Sequence, residues 1–342
     1  MTTIESPVAS SARPAPLAPG GTSASGDVAP ALSTSLLAQL LFLGAVWGAA
    51  FLFLRVASPE VGPVWAAEIR IAIGAGLLAL VAGRRTWAIA RRDLRAFAFA
   101  GAAFSAVPFT LIAIATLTLP TGFAAVLNAS TPIFTALLGV VWLGQRLSVR
   151  LASGLVVGVG AVLFLVGWSP LPAGPATLIA IVAALGAALS YAFGGTFVRR
   201  RFPGIGGVEL ATAQLVAGAL VLLPVAIATG APGRPSVDGL IALIGVGTLS
   251  TALPWPIYLR ILSRTTPTIA STVTFVVPAF AIAWGSLALG EPIGLGLVAG
   301  FGLVIVSLVL VIGVRVGTPR LPMLQLRWPA LLIDRHESAH RP

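Results

Sequence analysis

The sequence contains no cysteine, no lysine and only two histidines, and charged residues occupy just 9% of its 342 positions. Without cysteine, the chain has no disulfide, no thiolate zinc site and no catalytic thiol. It also lacks an HExxH metal motif and a P-loop phosphate-binding motif. A soluble domain carries about 25% charged residues. These scarcities exclude a soluble globular enzyme and predict a protein without enzymatic activity, metal or cofactor.

Hydrophobic residues, in contrast, make up 57% of the chain, and its mean hydropathy is +1.01. A membrane-spanning helix needs about 20 apolar residues, and it satisfies its own backbone hydrogen bonds inside lipid. The apolar runs here are too long for β-barrel strands. They predict an all-α integral membrane protein with ten transmembrane helices, near residues 35–57, 63–83, 93–117, 120–143, 149–168, 174–198, 207–229, 238–260, 267–289 and 293–314.

The formal net charge is +11, and all 21 basic residues are arginine. The arginines lie between the apolar runs rather than on one amphipathic face, a pattern typical of cytoplasmic loops and not of nucleic-acid binding. With a cytoplasmic N-terminus, the outer loops hold only Arg234, while Arg55 lies at the outer end of the first span. We therefore expect a multi-pass protein of the cell membrane with both termini in the cytoplasm.

The two halves of the chain repeat each other, and five spans per half is an odd number. The second half must therefore enter the membrane upside down, as in the inverted repeats of many secondary transporters. We expect five-helix repeats at 35–168 and 174–314, a disordered cytoplasmic tail at 1–34 and a basic cytoplasmic tail at 315–342. The aligned pairs are Gly101/Gly247, Pro108/Pro254 and Pro132/Pro278 at a shift of 146 residues, and Trp47/Tyr191 and Arg70/Gln214 at a shift of 144.

Three sets of residues carry a resemblance to a known family. They are WGAAFLFLR (47–55) with YAFGGTFVRR (191–200), STPIFTALLGVVWLGQ (130–145) with TFVVPAFAIAWGSLALGE (274–291), and Arg70 in the second span. With these motifs, residues 35–314 resemble an EamA-domain transporter of the drug/metabolite transporter superfamily. The resemblance implies export or uptake of small metabolites between two five-helix halves. The family often has Glu after Leu-Gly in both halves, but here the first copy has Gln145, so the halves do not carry symmetric carboxylates.

Polar, aromatic and proline positions inside the spans are the candidates for a substrate pathway. Interior prolines free backbone carbonyl groups, and their occurrence in both halves indicates either a central site or packing kinks. The pathway candidates are Trp47, Glu68, Arg70, Asn128, Thr131, Tyr191, Gln214, Trp255, Tyr258 and Thr274. The helix-kink candidates are Pro108, Pro132, Pro254 and Pro278.

Each candidate has a functional and a structural interpretation. Arg70 either binds a substrate carboxylate or satisfies carbonyl groups of kinked helices, because a charge inside the bilayer needs a cavity or a partner. Glu68 either couples transport to protons or extends to the outer interface. Asn128 and Thr131 share a helix face, and they either orient a zwitterionic substrate or form hydrogen bonds between helices. The aromatic side chains either line the pathway or anchor the protein at the interface.

Two further features suggest structural roles. Glu291 is expected to cap the tenth span. The GxxxG pairs Gly154/Gly158 and Gly296/Gly300 permit close helix approach, within one bundle by default or between protomers of a homodimer.

Together these features predict a secondary transporter that exports small metabolites, such as amino acids or related compounds, by alternating access. Its partners would be the small-molecule substrate and the lipid bilayer, and its energy would come from the substrate gradient or from protons. The alternatives are an intramembrane enzyme acting on a lipid-linked substrate and a non-transporting membrane scaffold.

Overall fold

The computed structural model describes residues 34–143, 148–168, 171–172, 174–230, 233–264 and 273–312. Apart from Thr34, both predicted tails lie outside the described residues, as does Gln145. All regular elements in the described ranges are helical. The α-helices are α1 (Thr34–Val61), α2 (Pro63–Val81), α3 (Arg84–Arg92), α4 (Leu94–Gly101), α5 (Val107–Thr118), α6 (Thr121–Asn128), α7 (Thr131–Leu143), α8 (Val149–Trp168), α9 (Pro175–Arg201), α10 (Gly207–Ala228), α11 (Val237–Gly247), α12 (Pro254–Arg264), α13 (Val273–Leu289) and α14 (Leu295–Ile312).

Eight helical stretches are long and apolar enough to cross a membrane, and they correspond to the first eight predicted spans. They are Ser35–Val61, Pro63–Val81, Leu94–Thr118, Thr121–Val141, Val149–Trp168, Pro175–Arg201, Gly207–Ala228 and Val237–Ile261. Two further apolar stretches are shorter, Val276–Leu289 and Leu295–Val311. They belong to α13, which follows residues 265–272, and to α14, which precedes residues 313–342; both of these segments lie outside the described ranges. The described residues therefore form an all-helical, multi-pass bundle, while the number of ten spans stays a prediction.

The turns between neighbouring helices follow from local sequence. Only Gly62 separates α1 from α2, and its φ of 84° is a backbone conformation that glycine adopts without a Cβ clash. Pro63 then starts α2, where its missing N–H costs no helical hydrogen bond. The result is a tight helical hairpin.

The structure adds a short helix, α3, inside the predicted loop that follows the second span. Ile89 and Ala90 of α3 pack against the buried core, whereas its four arginines are exposed. Asp93 follows α3 and accepts a hydrogen bond from the Ala96 backbone nitrogen (3.1 Å), which caps α4. The first basic loop is therefore a folded, amphipathic element.

Two predicted spans contain a π-helical turn immediately before a proline. The π segments are Ala102–Ala106, before Pro108, and Thr248–Ala252, before Pro254. The Val107 and Leu253 backbone nitrogens donate to carbonyls five residues back, at Ala102 and Thr248. This wider register accommodates prolines that cannot donate a hydrogen bond. The 146-residue shift that aligns the prolines also maps one π segment onto the other.

The second proline pair behaves differently in the two halves. Pro132 lies in the first turn of α7, directly after a break at residues 129–130 that separates α6 from α7. Pro278 instead lies inside α13, which continues through it as a helix. The two repeats therefore share the π segments but differ at this position.

The two halves pack against each other through small residues. Gly101 approaches the backbone of Gly218 so closely that a Cβ at Gly101 would clash with the Gly218 nitrogen. In the corresponding interface, a Cβ on Gly74 would lie 2.7 Å from the Thr251 methyl carbon. Close approach through glycine is typical of membrane helix interfaces.

The predicted GxxxG pairs lie in an interface within the chain. Gly154 and Gly158 of α8 and Gly296 and Gly300 of α14 all face residues of the partner helix. The Ser307 hydroxyl of α14 also donates to the Gly154 carbonyl at 2.7 Å. These glycines therefore serve packing between the last helices of the two repeats.

Candidate functional site

A cavity of about 700 Å³ lies between the two repeats. Helices α1, α6, α7, α9, α12 and α13 supply most of its walls. At one end it reaches Arg199 and Arg200, which are exposed at the end of α9. Towards the C-terminal end of α1, the side chains of Leu54, Leu119 and Phe123 are buried in one apolar cluster. The cavity therefore opens at the end of the bundle where α9 ends.

The cavity brings together residues that lie far apart in the sequence. Of the fourteen pathway and kink candidates, ten line it: Trp47, Arg70, Asn128, Thr131, Pro132, Tyr191, Trp255, Tyr258, Thr274 and Pro278. These residues come from both repeats, so the inter-repeat cavity is the place where the candidates converge.

Glu68, Gln214, Pro108 and Pro254 do not line the cavity. Glu68 is 5% exposed, so its side chain is enclosed by the protein. It lies about 200° around the helix from Arg70, which faces the cavity, and its Oε2 atom has no hydrogen-bond partner in the described residues. Gln214 is fully buried, and its Nε2 donates to the Ser105 hydroxyl at 2.9 Å.

Arg70 is the buried cation of the cavity, whereas Arg199 and Arg200 are exposed. Its Nε donates to the Thr251 hydroxyl at 2.9 Å, and its guanidinium carbon lies 3.5 Å from the centroid of the Phe109 ring. It is 3% exposed, and no carboxylate in the described part of the chain is within ion-pairing distance. Arg70 thus bonds a side chain of the second π segment and carries a buried charge without a counter-ion, an arrangement that favours an anionic ligand.

Aromatic rings form a continuous wall beside Arg70. The ring centroid of Trp47 lies 5.0 Å from that of Tyr258 and 5.9 Å from that of Trp255. Trp255 in turn contacts Phe104 (5.3 Å) and Phe109 (6.1 Å). Tilted and edge-to-face pairs of this kind are favourable arrangements for aromatic side chains.

Phe104 and Phe109 were not among the candidates. A signal for Phe109 existed, because the 146-residue shift aligns it with Trp255. Phe104 has no aromatic counterpart, since the same shift aligns it with Ser250.

Two polar atoms at the cavity have no partner. The Oδ1 atom of Asn128 and the Nε1 atom of Trp255 are buried and make no hydrogen bond within the described residues. By contrast, the Thr131 hydroxyl donates to the Asn128 carbonyl at 2.8 Å. Unpaired buried polar atoms are unfavourable unless a ligand or water bonds to them. Asn128 therefore has an unused hydrogen-bond acceptor at the cavity, whereas the Thr131 hydroxyl proton is already bonded.

The closed end of the cavity is held by polar contacts around Arg55 and Glu291. The Arg55 Nη1 donates to the carbonyls of Thr116 (2.7 Å) and Leu117 (2.8 Å). The Glu291 carboxylate accepts from the Thr121 backbone nitrogen at 2.8 Å and from its hydroxyl at 3.1 Å, and lies 3.9 Å from the Arg55 Nε. The expected capping of the tenth span by Glu291 was wrong, because α14 begins at Leu295 and Glu291 caps α6 instead.

A second contact at the same end joins the two repeats. The Glu60 carboxylate accepts hydrogen bonds from the Ser236 backbone nitrogen (2.7 Å) and hydroxyl (2.8 Å). The Trp65 indole donates to the Gly230 carbonyl at 2.6 Å. These bonds connect the α1–α2 hairpin to the chain between α10 and α11.

Metal-ligating residues are sparse. The described residues contain no group of three or more His, Asp or Glu side chains placed to hold a metal ion.

A multi-pass helical bundle with a polar and aromatic cavity between two repeated halves defines the membrane-transporter class. The EamA-like transporter family domain matches twice, over residues 35–167 and 178–313. The chain belongs to the EamA-like transporter family, and it is a membrane transporter.

Relatives and a solved structure agree with this assignment. The chain is 26% identical to the uncharacterized transporter YvbV of Bacillus subtilis, with 82% of this chain and 92% of that protein covered. It is 24% identical to the uncharacterized inner membrane transporter YedA of Escherichia coli K12, with 81% and 90% covered. A crystal structure of another protein superposes with a TM-score of 0.57 at 15% identity, covering 80% of this chain and 96% of that one, which supports the fold alone.

Proposed function

We propose that the protein is a secondary transporter that exports small carboxylate-bearing metabolites, such as amino acids or related compounds, by alternating access. The observation that carries this proposal is Arg70, a buried cation that lines the cavity without a carboxylate partner among the described residues. A substrate carboxylate would supply the missing counter-charge, and guanidinium–carboxylate pairs are among the stronger hydrogen-bonded contacts in proteins.

The rest of the cavity supports a substrate with a polar end and an apolar body. The rings of Trp47, Trp255 and Tyr258 offer an apolar wall, which suits aliphatic or ring-bearing side chains. The unpaired Asn128 Oδ1 can accept a hydrogen bond, and the ammonium group of an amino acid could donate it. A volume of about 700 Å³ lies within the range of small-molecule sites.

The transport cycle follows from the two ends of the cavity. The open end lies by Arg199 and Arg200, which the arginine distribution assigns to the cytoplasm. The opposite end is closed by the contacts of Arg55 and Glu291. In this proposal the structure represents an inward-open state, α13 and α14 complete a set of ten spans, and rocking of the repeats opens the other end.

Glu68 is the proposed coupling residue if protons drive the cycle. Its buried carboxylate faces away from Arg70 and has an unpaired oxygen, and such groups in membrane spans often take up and release protons. The alternative driving force is the gradient of the substrate itself.

The test is exchange across sealed proteoliposomes with pairs of compounds that differ only in the carboxylate, such as amino acids and the amines obtained by decarboxylating them. We expect exchange of at least one carboxylated compound and none of its amine. Equal exchange of acid and amine, or no flux across a broad panel, would refute the proposal. Product formation from a lipid-linked substrate by the protein in detergent would favour the enzyme alternative instead.

A further inference from the structure

A second cavity, of about 460 Å³, lies outside the substrate site, beside the amphipathic helix α3. Three arginines reach it, Arg85 and Arg92 from α3 and Arg201 from the end of α9. Arg85 and Arg92 are seven residues apart, so two helical turns bring them to the same face of α3. The cavity therefore gathers positive charge from two separate elements.

The single carboxylate in this cavity is already engaged. Asp93 pairs with Arg201 and accepts a hydrogen bond from the Ala96 backbone nitrogen at the start of α4. In the described ranges no carboxylate is within ion-pairing distance of Arg85 or Arg92. Two positive charges of the cavity are thus available to an anionic ligand.

The floor of this cavity is apolar, and exposed apolar side chains follow it on α4. Phe97 and Phe202 line it and stack at a centroid distance of 4.2 Å. Next to Asp93, Leu94 is 66% exposed, and five residues further along α4 Phe99 is 48% exposed. Because α4 begins a membrane span, we expect Leu94 to contact lipid near the membrane surface. A polar, basic pocket bordered by lipid-facing side chains matches a phospholipid, with its phosphate in the pocket and its acyl chains beside α4.

We propose that Arg85 and Arg92, next to the Arg201–Asp93 ion pair, form a binding site for the headgroup of an anionic phospholipid. The phosphate bonds to the guanidinium groups, since arginine binds phosphate oxygens in a bidentate manner. The site lies at the membrane surface whatever the transported substrate is, so this inference does not rest on the proposed function.

Full-length protein in neutral detergent tests the site by titration with phosphatidylglycerol or phosphatidylcholine, with bound lipid counted by native mass spectrometry. We expect phosphatidylglycerol to bind in preference to phosphatidylcholine. The double variant Arg85→Gln/Arg92→Gln should bind phosphatidylglycerol roughly 30-fold more weakly, given the attraction of two basic residues to an anionic lipid. The melting temperature verifies that the variant is folded.

The matched control is Arg84→Gln/Arg91→Gln. These two arginines have the same spacing on the same helix and are also exposed, but they do not line the cavity. We expect this variant to keep phosphatidylglycerol affinity within about threefold of the wild type. The charge-preserving variant Arg85→Lys/Arg92→Lys should retain an intermediate affinity.

Three outcomes would overturn the inference. Equal loss in both glutamine variants would mean diffuse surface charge rather than a site. No loss in Arg85→Gln/Arg92→Gln would mean that lipid binds elsewhere. Inorganic phosphate that raises the melting temperature as much as phosphatidylglycerol does would identify a site for a soluble anion instead of a lipid.

Discussion

The same contact between the repeats occurs twice, once with a charge and once without. In one copy, Arg70 of the first repeat donates to Thr251 in the π segment of the second. In the other, Gln214 of the second repeat donates to Ser105 in the π segment of the first. The 144- and 146-residue shifts relate the donors and the acceptors, respectively.

The difference between the copies shows how one repeated contact can differ in charge between the two halves. Both contacts fix a π segment against the opposite repeat, so both serve packing. Only the arginine copy lines the cavity and leaves a buried charge to be matched. The shared geometry therefore belongs to the fold, and the single arginine is the feature that we assign to substrate binding.

The largest effect is expected for Arg70→Gln. This substitution gives the first repeat the residue that the second repeat has at the aligned position, Gln214. Glutamine keeps a donor for Thr251 but removes the charge. We expect flux of carboxylated substrates in proteoliposomes to fall about 10- to 100-fold, the usual effect of losing a charged hydrogen bond. A folded variant with wild-type flux would show that Arg70 has only a packing role.

The second prediction concerns Glu291, which aligns with Gln145 in the first repeat. Glu291→Gln removes the charge that joins α6 to Arg55, so the closed end should open more often, by about tenfold. The natural chain has no cysteine, so Ala57→Cys, a buried position on α1, provides a unique label site.

The measurement is the labelling rate of Ala57→Cys by a membrane-impermeant thiol reagent added outside. We expect slow labelling with Glu291 present and about tenfold faster labelling in the Glu291→Gln background. Unchanged labelling would mean that Glu291 does not hold this end closed. Asp238→Asn, an exposed carboxylate that makes no ion pair in the described residues, is the control.

A third, smaller effect compares the two acceptors. Thr251→Val removes the hydroxyl that orients Arg70 and should raise the KM for transport about fivefold, with maximal flux nearly unchanged. Ser105→Ala, the equivalent change on the uncharged side, should leave KM within about twofold. Equal shifts of KM in both variants would contradict a substrate site that uses the Arg70–Thr251 contact and not the Gln214–Ser105 contact.

The smallest effect is expected for Gln214→Leu. The loss of one neutral hydrogen bond to Ser105 should reduce stability by about 1 kcal/mol, seen as a modest fall in melting temperature. Flux per folded molecule should stay within about twofold, since Gln214 does not line the cavity. A large fall in flux without a change in stability would give Gln214 a functional role.

Much of the fold could be predicted from local patterns in the amino-acid sequence. Apolar runs located the first eight spans, and the paired Pro108 and Pro254 marked the helices that contain π segments. Arg70 stood out because a charge within an apolar run needs a partner or a cavity. These signals are local, so no knowledge of the packing was needed to find them.

Contacts between distant segments could not be predicted in this way. The sequence places Glu291 next to a proline at a helix start, yet it caps α6, which lies 170 residues away in the chain. Likewise, Gln214 aligns with Arg70 at the 144-residue shift, but only Arg70 lines the cavity. Which of the two side chains reaches the cavity depends on how the two repeats are packed. The cavity beside α3 also depends on a distant residue, Arg201 at the end of α9, which no local pattern places next to α3.

The most direct test of the alternating-access account uses one cavity-lining cysteine, Ala129→Cys, labelled from each face of the membrane. Right-side-out and inside-out vesicles receive the same impermeant thiol reagent. Alternating access from an inward-open state predicts labelling at least tenfold faster from the cytoplasmic face, the side on which Arg199 and Arg200 line the cavity. Equal labelling from both faces, or faster labelling from the outer face, would contradict it.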